Sequence, residues 1–189
     1  MGGTLPDPSA LAVDVLRQST HGGPPARLDR VVRLWPGLQV SEDAINNSGY
    51  LVDLGIRGGQ IIIRSSDRVE RRRYTLAHEI GHWILNLQAM SATGASVERW
   101  CDTFAANLLM PTSWVRGDLA KAERSSVLDL ILQGPRRYEV SHQAFWLGCS
   151  SFQEHRRPAT WLGDPCPMLL EGLGRMPHPG RRRGPRPPR

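Results

Sequence analysis

Two histidines four residues apart, with a glutamate directly after the first, stand at His78-Glu79-Ile80-Gly81-His82. On an α-helix, residues four apart lie on one face a turn apart, so His78 and His82 can hold one metal ion together. Glu79 is displaced about 100° around the helix from His78. Its carboxylate then lies beside the ion, able to take a proton from water there without being a ligand itself. This spacing is the signature of a zinc-hydrolase helix.

A catalytic zinc takes three protein ligands and leaves one position for water. The third ligand is sought in residues 97–111, Val-Glu-Arg-Trp-Cys-Asp-Thr-Phe-Ala-Ala-Asn-Leu-Leu-Met-Pro. As a helix, this stretch puts Cys101, Phe104, Ala105 and Leu108 on an apolar face, with Glu98 and Asp102 as an i, i+4 pair at its edge. Carboxylates bordering a buried face are costly unless paired or bound to a metal. Glu98 is therefore a good third ligand. Asp102 suits an outer role, orienting a ligand histidine through its other ring N–H.

Together, Thr75-Leu76-Ala77-His78-Glu79-Ile80-Gly81-His82 and Glu98-x-x-Cys101-Asp102-x-Phe104-Ala105-Ala106-x-Leu108-Leu109-Met110-Pro111 resemble the ImmA/IrrE family of metallopeptidases. That family pairs a His-Glu-x-x-His helix with Glu-x-x-Ala-(Asn/Asp)-x-Phe-Ala-x-x-Leu-Leu-Met-Pro. The resemblance covers residues 8–147 and is strongest over 71–111. It implies that His78, His82 and Glu98 bind Zn2+ and that Glu79 is the general base. It also implies a narrow protein substrate, a helix-turn-helix repressor whose cleavage switches on mobile-element or stress genes in a bacterial or phage-like setting. Cys101 stands where the family has Ala, a small-for-small change that should pack.

The ligands need a helix to carry them. Asp67-Arg68-Val69-Glu70 reads as a capping box with Asp67 as N-cap. From there Val69, Leu76, Ile80, Trp83, Ile84 and Leu87 form an apolar stripe at helical spacing, with the histidines off it. Gly81 costs a helix about 1 kcal/mol relative to Ala. Beside two ligands it marks the close approach of another segment. Residues 88–96, rich in Ser, Ala, Gly and Thr, let the two ligand helices fold back antiparallel and are expected to border the substrate cleft. Arg71-Arg72-Arg73 reads as a solvated helix face.

Upstream, Ser9 is expected to cap a first helix, and Leu28, Val31, Val32 and Trp35 show a second, ended by Pro36-Gly37. Residues 38–41, 50–54 and 60–64 read as strands, the last two joined as a hairpin through Gly58-Gly59. Ile61-Ile62-Ile63 marks a central strand. An edge strand here could pair with an extended peptide, though the sequence does not choose the edge. Downstream, Pro111-Thr112-Ser113 ends one helix and starts another, Gly134-Pro135 is expected to end a third, and Val140-Ser141 to cap a fourth.

The whole is read as α+β: a minimal zincin-like domain at residues 9–148, its small antiparallel sheet packed against the histidine helix. Residues 1–8 are expected to be flexible and 149–189 to be a largely disordered Pro/Arg-rich tail. The formal charge of +6 equals the six arginines after Gly174, with no acid beyond Glu171. The body is thus balanced, and no specific nucleic-acid binding is expected. Three cysteines without paired spacing, no signal peptide and no membrane-spanning run point to the cytoplasm. The function so read is zinc-dependent endopeptidase. A hydrolase also needs an oxyanion donor, for which Tyr74, Tyr138 and His142 are the candidates. The competing readings are a zinc-binding regulator acting by contact alone and a DNA-binding regulator using Val140-Ser141 and the tail.

Overall fold

In the computed structural model the chain runs α1 (Pro8–Gln18), α2 (Leu28–Val32), β1 (Leu38–Asp43), β2 (Gly49–Asp53), a 3-10 turn (Gly55–Arg57), β3 (Gly59–Arg64), α3 (Val69–Leu87), α4 (Ala95–Leu109), α5 (Thr112–Lys121), α6 (Val127–Tyr138) and α7 (His142–Ser151). The structure describes residues 5–19, 22–88, 94–121 and 127–151. All belong to the first of two units, Met1–His155. The expected tail lies outside the described residues from 152 onward, and so do 1–4 and most of the loop joining α3 to α4. Residues 5–8 are held down: Leu5 packs on the core, and the Trp100 indole N–H donates to the Pro6 carbonyl at 2.7 Å. No helix among the described residues is long and apolar enough to cross a membrane.

The α+β fold is as expected, but the sheet is mixed rather than antiparallel. Its order is β1-β3-β2, with β3 antiparallel to β2 and parallel to β1. The hairpin accounts for the first pairing. The second follows because β1 and β2 are joined by a reversal and so run oppositely. A strand inserted between them must match one and oppose the other. β3 takes the centre because its β-branched run buries Ile61 and Ile63 towards the helices.

Several local expectations change. Asp67 does not cap α3. The N-cap is Arg68 without a side-chain bond, because Arg64 takes the Asp67 carboxylate at 2.7 Å. Asp7, not Ser9, caps α1 by accepting from the Ser9 N–H at 2.9 Å, with Pro8 in the first turn where its missing N–H costs nothing. Gly134-Pro135 does not end α6, which continues to Tyr138. A Cβ at Gly134 would overlap the Phe145 ring, so this glycine lets α7 pack on the α6 backbone. Ser141 caps α7 as expected, accepting from the Ala144 N–H at 3.1 Å.

The core lies between the sheet, α3 and α4. From α3, Ile80, Trp83 and Ile84 are buried as the stripe requires, while Val69 and Leu87 at its ends are exposed. From α4, Cys101, Phe104, Ala105 and Leu108 are fully buried. A fully buried side chain of the size of Ile, Leu or Phe contributes about 1.5–3 kcal/mol. The close approach expected at Gly81 is present. A methyl there would meet Cys101 Sγ at 3.2 Å and its Cα and Cβ at 3.4 Å.

Gly81→Ala should therefore lower Tm despite gaining about 1 kcal/mol of helix propensity, because overpacking costs about 1–3 kcal/mol. Cys101→Ala in the same chain should restore part of the loss. Thermal denaturation of both single variants and the double checks this. Additivity within about 0.5 kcal/mol would mean the contact is not tight.

Candidate active site

The two helices bring the sequence-predicted residues to one point. His78 Nε2 and His82 Nε2 lie 3.1 Å apart. The Glu98 carboxylate spans them, with Oε2 at 3.3 Å from His78 Nε2 and Oε1 at 3.5 Å from His82 Nε2. Four-coordinate zinc with bonds of about 2.0–2.1 Å requires neighbouring ligand atoms to be about 3.3–3.4 Å apart. The donor set fits such an ion, and these three residues form a cluster suited to holding a metal.

Asp102 decides which nitrogen of His78 is bare. Its Oδ1 lies 3.0 Å from His78 Nδ1. A carboxylate only accepts, so the proton sits on Nδ1 and Nε2 offers its lone pair to the cluster. Burial, then the neighbouring His78, pushes the pKa of His82 down, against Glu98 and Asp102, which raise it. The carboxylates do not owe their positions to desolvation, as the sequence reading supposed. The Glu98 and Asp102 side chains are 59% and 53% exposed. They face the open side of the site, where packing of α4 on α3 has put them.

Glu79 differs from both: it is buried. Burial pushes its carboxyl up, His78 pulls it down, Glu98 raises it, and the Leu51 backbone N–H stabilises the ionised form. That N–H is free to do so. The Ser48 carbonyl accepts from the Arg64 N–H, and the Leu54 N–H donates to Gly58. Even-numbered residues of β2 thus bond inwards to β3, and Gly49, Leu51 and Asp53 turn their backbone groups off the sheet edge. Cys101 sits below, where burial and then the Glu98, Glu79 and Asp102 carboxylates push its thiol up to about 12. It stays protonated and serves as packing.

The site opens into a cleft of about 1370 Å³. Ser48 and Gly49 of the β2 edge line one side, α3 from Arg68 to Glu79 and α4 at Asp102 and Ala106 form the floor, and residues 139–144 form the opposite wall. The three oxyanion candidates separate here. Tyr138 is fully buried, with its O–H donating to Asp118 Oδ2 at 2.8 Å. Tyr74 lines the cleft but donates to Asp102 Oδ1 at 2.8 Å. His142 lines the cleft, is exposed, and has no hydrogen-bond partner among the described residues.

Of the arginine run, Arg71 is exposed as expected, while Arg72 and Arg73 are partly buried. Arg71 lines the cleft and donates to Ser48 Oγ at 3.2 Å, and Arg72 pairs with Glu42. Arg73 is largely buried. It donates to the carbonyls of Ala26 (2.8 Å) and Glu139 (3.2 Å) and pairs with the Glu139 carboxylate at 3.0 Å. Sequence reasoning missed this clamp on the cleft wall. Charge alone carries no signal of which arginine points inwards.

A histidine helix with a small sheet on one side and an acid-bearing helix on the other defines a zincin-like, metallopeptidase-type domain. The model of Peptidase_M78, the IrrE N-terminal-like domain, matches residues 37–147, and the chain belongs to that family. The match starts later than the sequence resemblance, which runs from residue 8, yet contains the whole of the cleft lining. Among curated proteins none matches this chain.

The purified protein should carry about one zinc per chain. His78→Ala, His82→Ala and Glu98→Ala should each lose most of it, measured by elemental analysis. Retention by Glu98→Ala together with loss by Asp102→Ala would reverse the assignment of the two acids.

Proposed function

We propose that this chain is a cytoplasmic zinc-dependent endopeptidase that cleaves a helix-turn-helix repressor and so relieves repression of mobile-element or stress genes. The observation that carries the hydrolase reading is Glu79, a buried carboxylate beside three converging metal donors at the floor of an open cleft. Membership of a peptidase family supports a protein substrate. The repressor is what the sequence resemblance implies.

In this reading His78, His82 and Glu98 hold the ion, and Asp102 keeps His78 in the ligating tautomer. When bound, zinc supplies Lewis acidity, polarising a carbonyl and lowering the pKa of water to roughly 7. Glu79 accepts the proton of the attacking water and returns it to the leaving amine. The outward groups of β2 at the cleft offer an edge on which an extended peptide can lie. His142 is the uncommitted donor on the facing wall and stabilises the oxyanion.

A regulator acting by contact alone has no use for a buried base beside its metal. A DNA-binding role for the α7 start would require the residues that line the cleft, His142 to Ala144, to face a duplex instead.

Glu79→Gln keeps size and helix propensity while removing the proton acceptor. It should retain zinc and lose cleavage of a candidate helix-turn-helix repressor by about 10²–10⁴-fold, followed by mass spectrometry. Unchanged cleavage by the zinc-loaded variant would exclude Glu79 as base. His142→Ala should keep zinc and lower kcat by about 10²–10³-fold. An unchanged kcat would move the oxyanion role elsewhere.

A further inference from the structure

We propose that Tyr74 is a positioning residue whose phenol fixes the Asp102 carboxylate and, through it, the tautomer and orientation of His78. The inference rests on the zinc reading of His78, His82 and Glu98 and deepens it. Tyr74 lies four residues before His78, one turn back on the same face of α3. Its O–H donates to Asp102 Oδ1 at 2.8 Å, and His78 Nδ1 meets the same oxygen at 3.0 Å. Two donors from successive turns of one helix thus converge on a single oxygen supplied by the other.

Asp102 needs that restraint. Its side chain is 53% exposed, so water competes for both oxygens. The terminal torsion of an aspartate is broad and does not hold the carboxylate plane by itself. Among the described residues, Tyr74 and His78 are its hydrogen-bonding partners. The Tyr74 ring is partly buried and lies 6.4 Å from the His78 ring, so the phenol oxygen is presented by a body that packing already holds. A water in its place would have no such anchor.

A phenol has one O–H. Committed to Asp102, it does not at the same time serve as a donor to a substrate oxyanion. The arrangement therefore assigns Tyr74 to the metal side of the site and not to the substrate side. Its effect should appear in zinc affinity in the absence of any substrate.

The test is zinc affinity by chelator competition for the full chain and for Tyr74→Phe, Asp102→Ala and the double variant, with His78→Ala as reference. Asp102→Ala should weaken binding by about 10–100-fold, as loss of a ligand's outer partner does. Tyr74→Phe should weaken it by roughly 3–10-fold, the worth of one hydrogen bond, and should add nothing once Asp102 is Ala. The His78 ring N–H proton, followed by NMR, should exchange with solvent faster in Tyr74→Phe. Zinc affinity equal to that of the unaltered chain would overturn the proposal. So would the same loss in both backgrounds, which marks a packing role. Full zinc retention by His78→Ala would instead overturn the zinc reading on which this one stands.

Discussion

Between α3 and α4 a methyl group at Gly81 would press on Cys101, which lies across that point of the histidine helix with Sγ only 3.2 Å from it. Small residues at a crossing let helices approach more closely than the usual 8–10 Å or so. Here the crossing also sets register. Glu98 precedes Cys101 by three residues and Asp102 follows it directly, so both acids are delivered to the histidine face once Cys101 is seated. A register shift by one residue on α4 would turn each acid by about 100° and dissolve the cluster. The candidate metal site is thus held by a helix contact outside its donor set.

Burial then divides the work among chemically similar groups. Glu79 and Glu98 carry the same side chain, yet one is buried against β2 and the other is 59% exposed. Burying a carboxylate costs several kcal/mol unless it is hydrogen-bonded or paired. The neighbouring His78 and the Leu51 N–H offset part of that cost for Glu79, and its carboxyl remains pushed up. Environments that differ this much are how one residue type serves two roles in a site. The opposite wall is fixed by a separate device. Arg73 binds both the carbonyl and the carboxylate of Glu139, whose φ of 53° is unusual for a residue with a side chain. His142 hangs from that turn, so its distance from α3 depends on Arg73.

What the sequence discloses is local periodicity plus residue chemistry, and the match with the structure follows that limit. The histidine pair, the intervening glutamate, the apolar face of α4 and the meaning of Gly81 are all statements about residues within a few turns of one helix. The structure brings them together as read. The parallel pairing of β1 is not local. It depends on β3 passing between two strands already laid down, which no turn residue announces. Asp67 shows a competition the sequence cannot rank: its carboxylate can cap α3 or bind Arg64, and the charged partner takes it. The three arginines at 71–73 look alike as a string and have three different fates, because helical rotation sends one to the cleft, one to β1 and one inwards.

The position of β2 links base and substrate in a way that follows from strand order alone. With β3 central, β2 must be an edge, and its parity turns Gly49, Leu51 and Asp53 outwards. The Leu51 N–H already faces Glu79. A peptide laid on this edge therefore finds the outward groups of Gly49 and Asp53 and the Leu51 carbonyl available, with the Leu51 N–H reserved for the base. Its backbone is held one strand spacing, about 4.8 Å, from β2, and the pairing is interrupted at the residue beside which Glu79 lies. On the proposed reading, the strand that aligns the substrate also holds the general base, its Leu51 N–H countering part of the upward push of burial on the Glu79 carboxyl. A substitution that bends β2 would then impair substrate binding and proton transfer together.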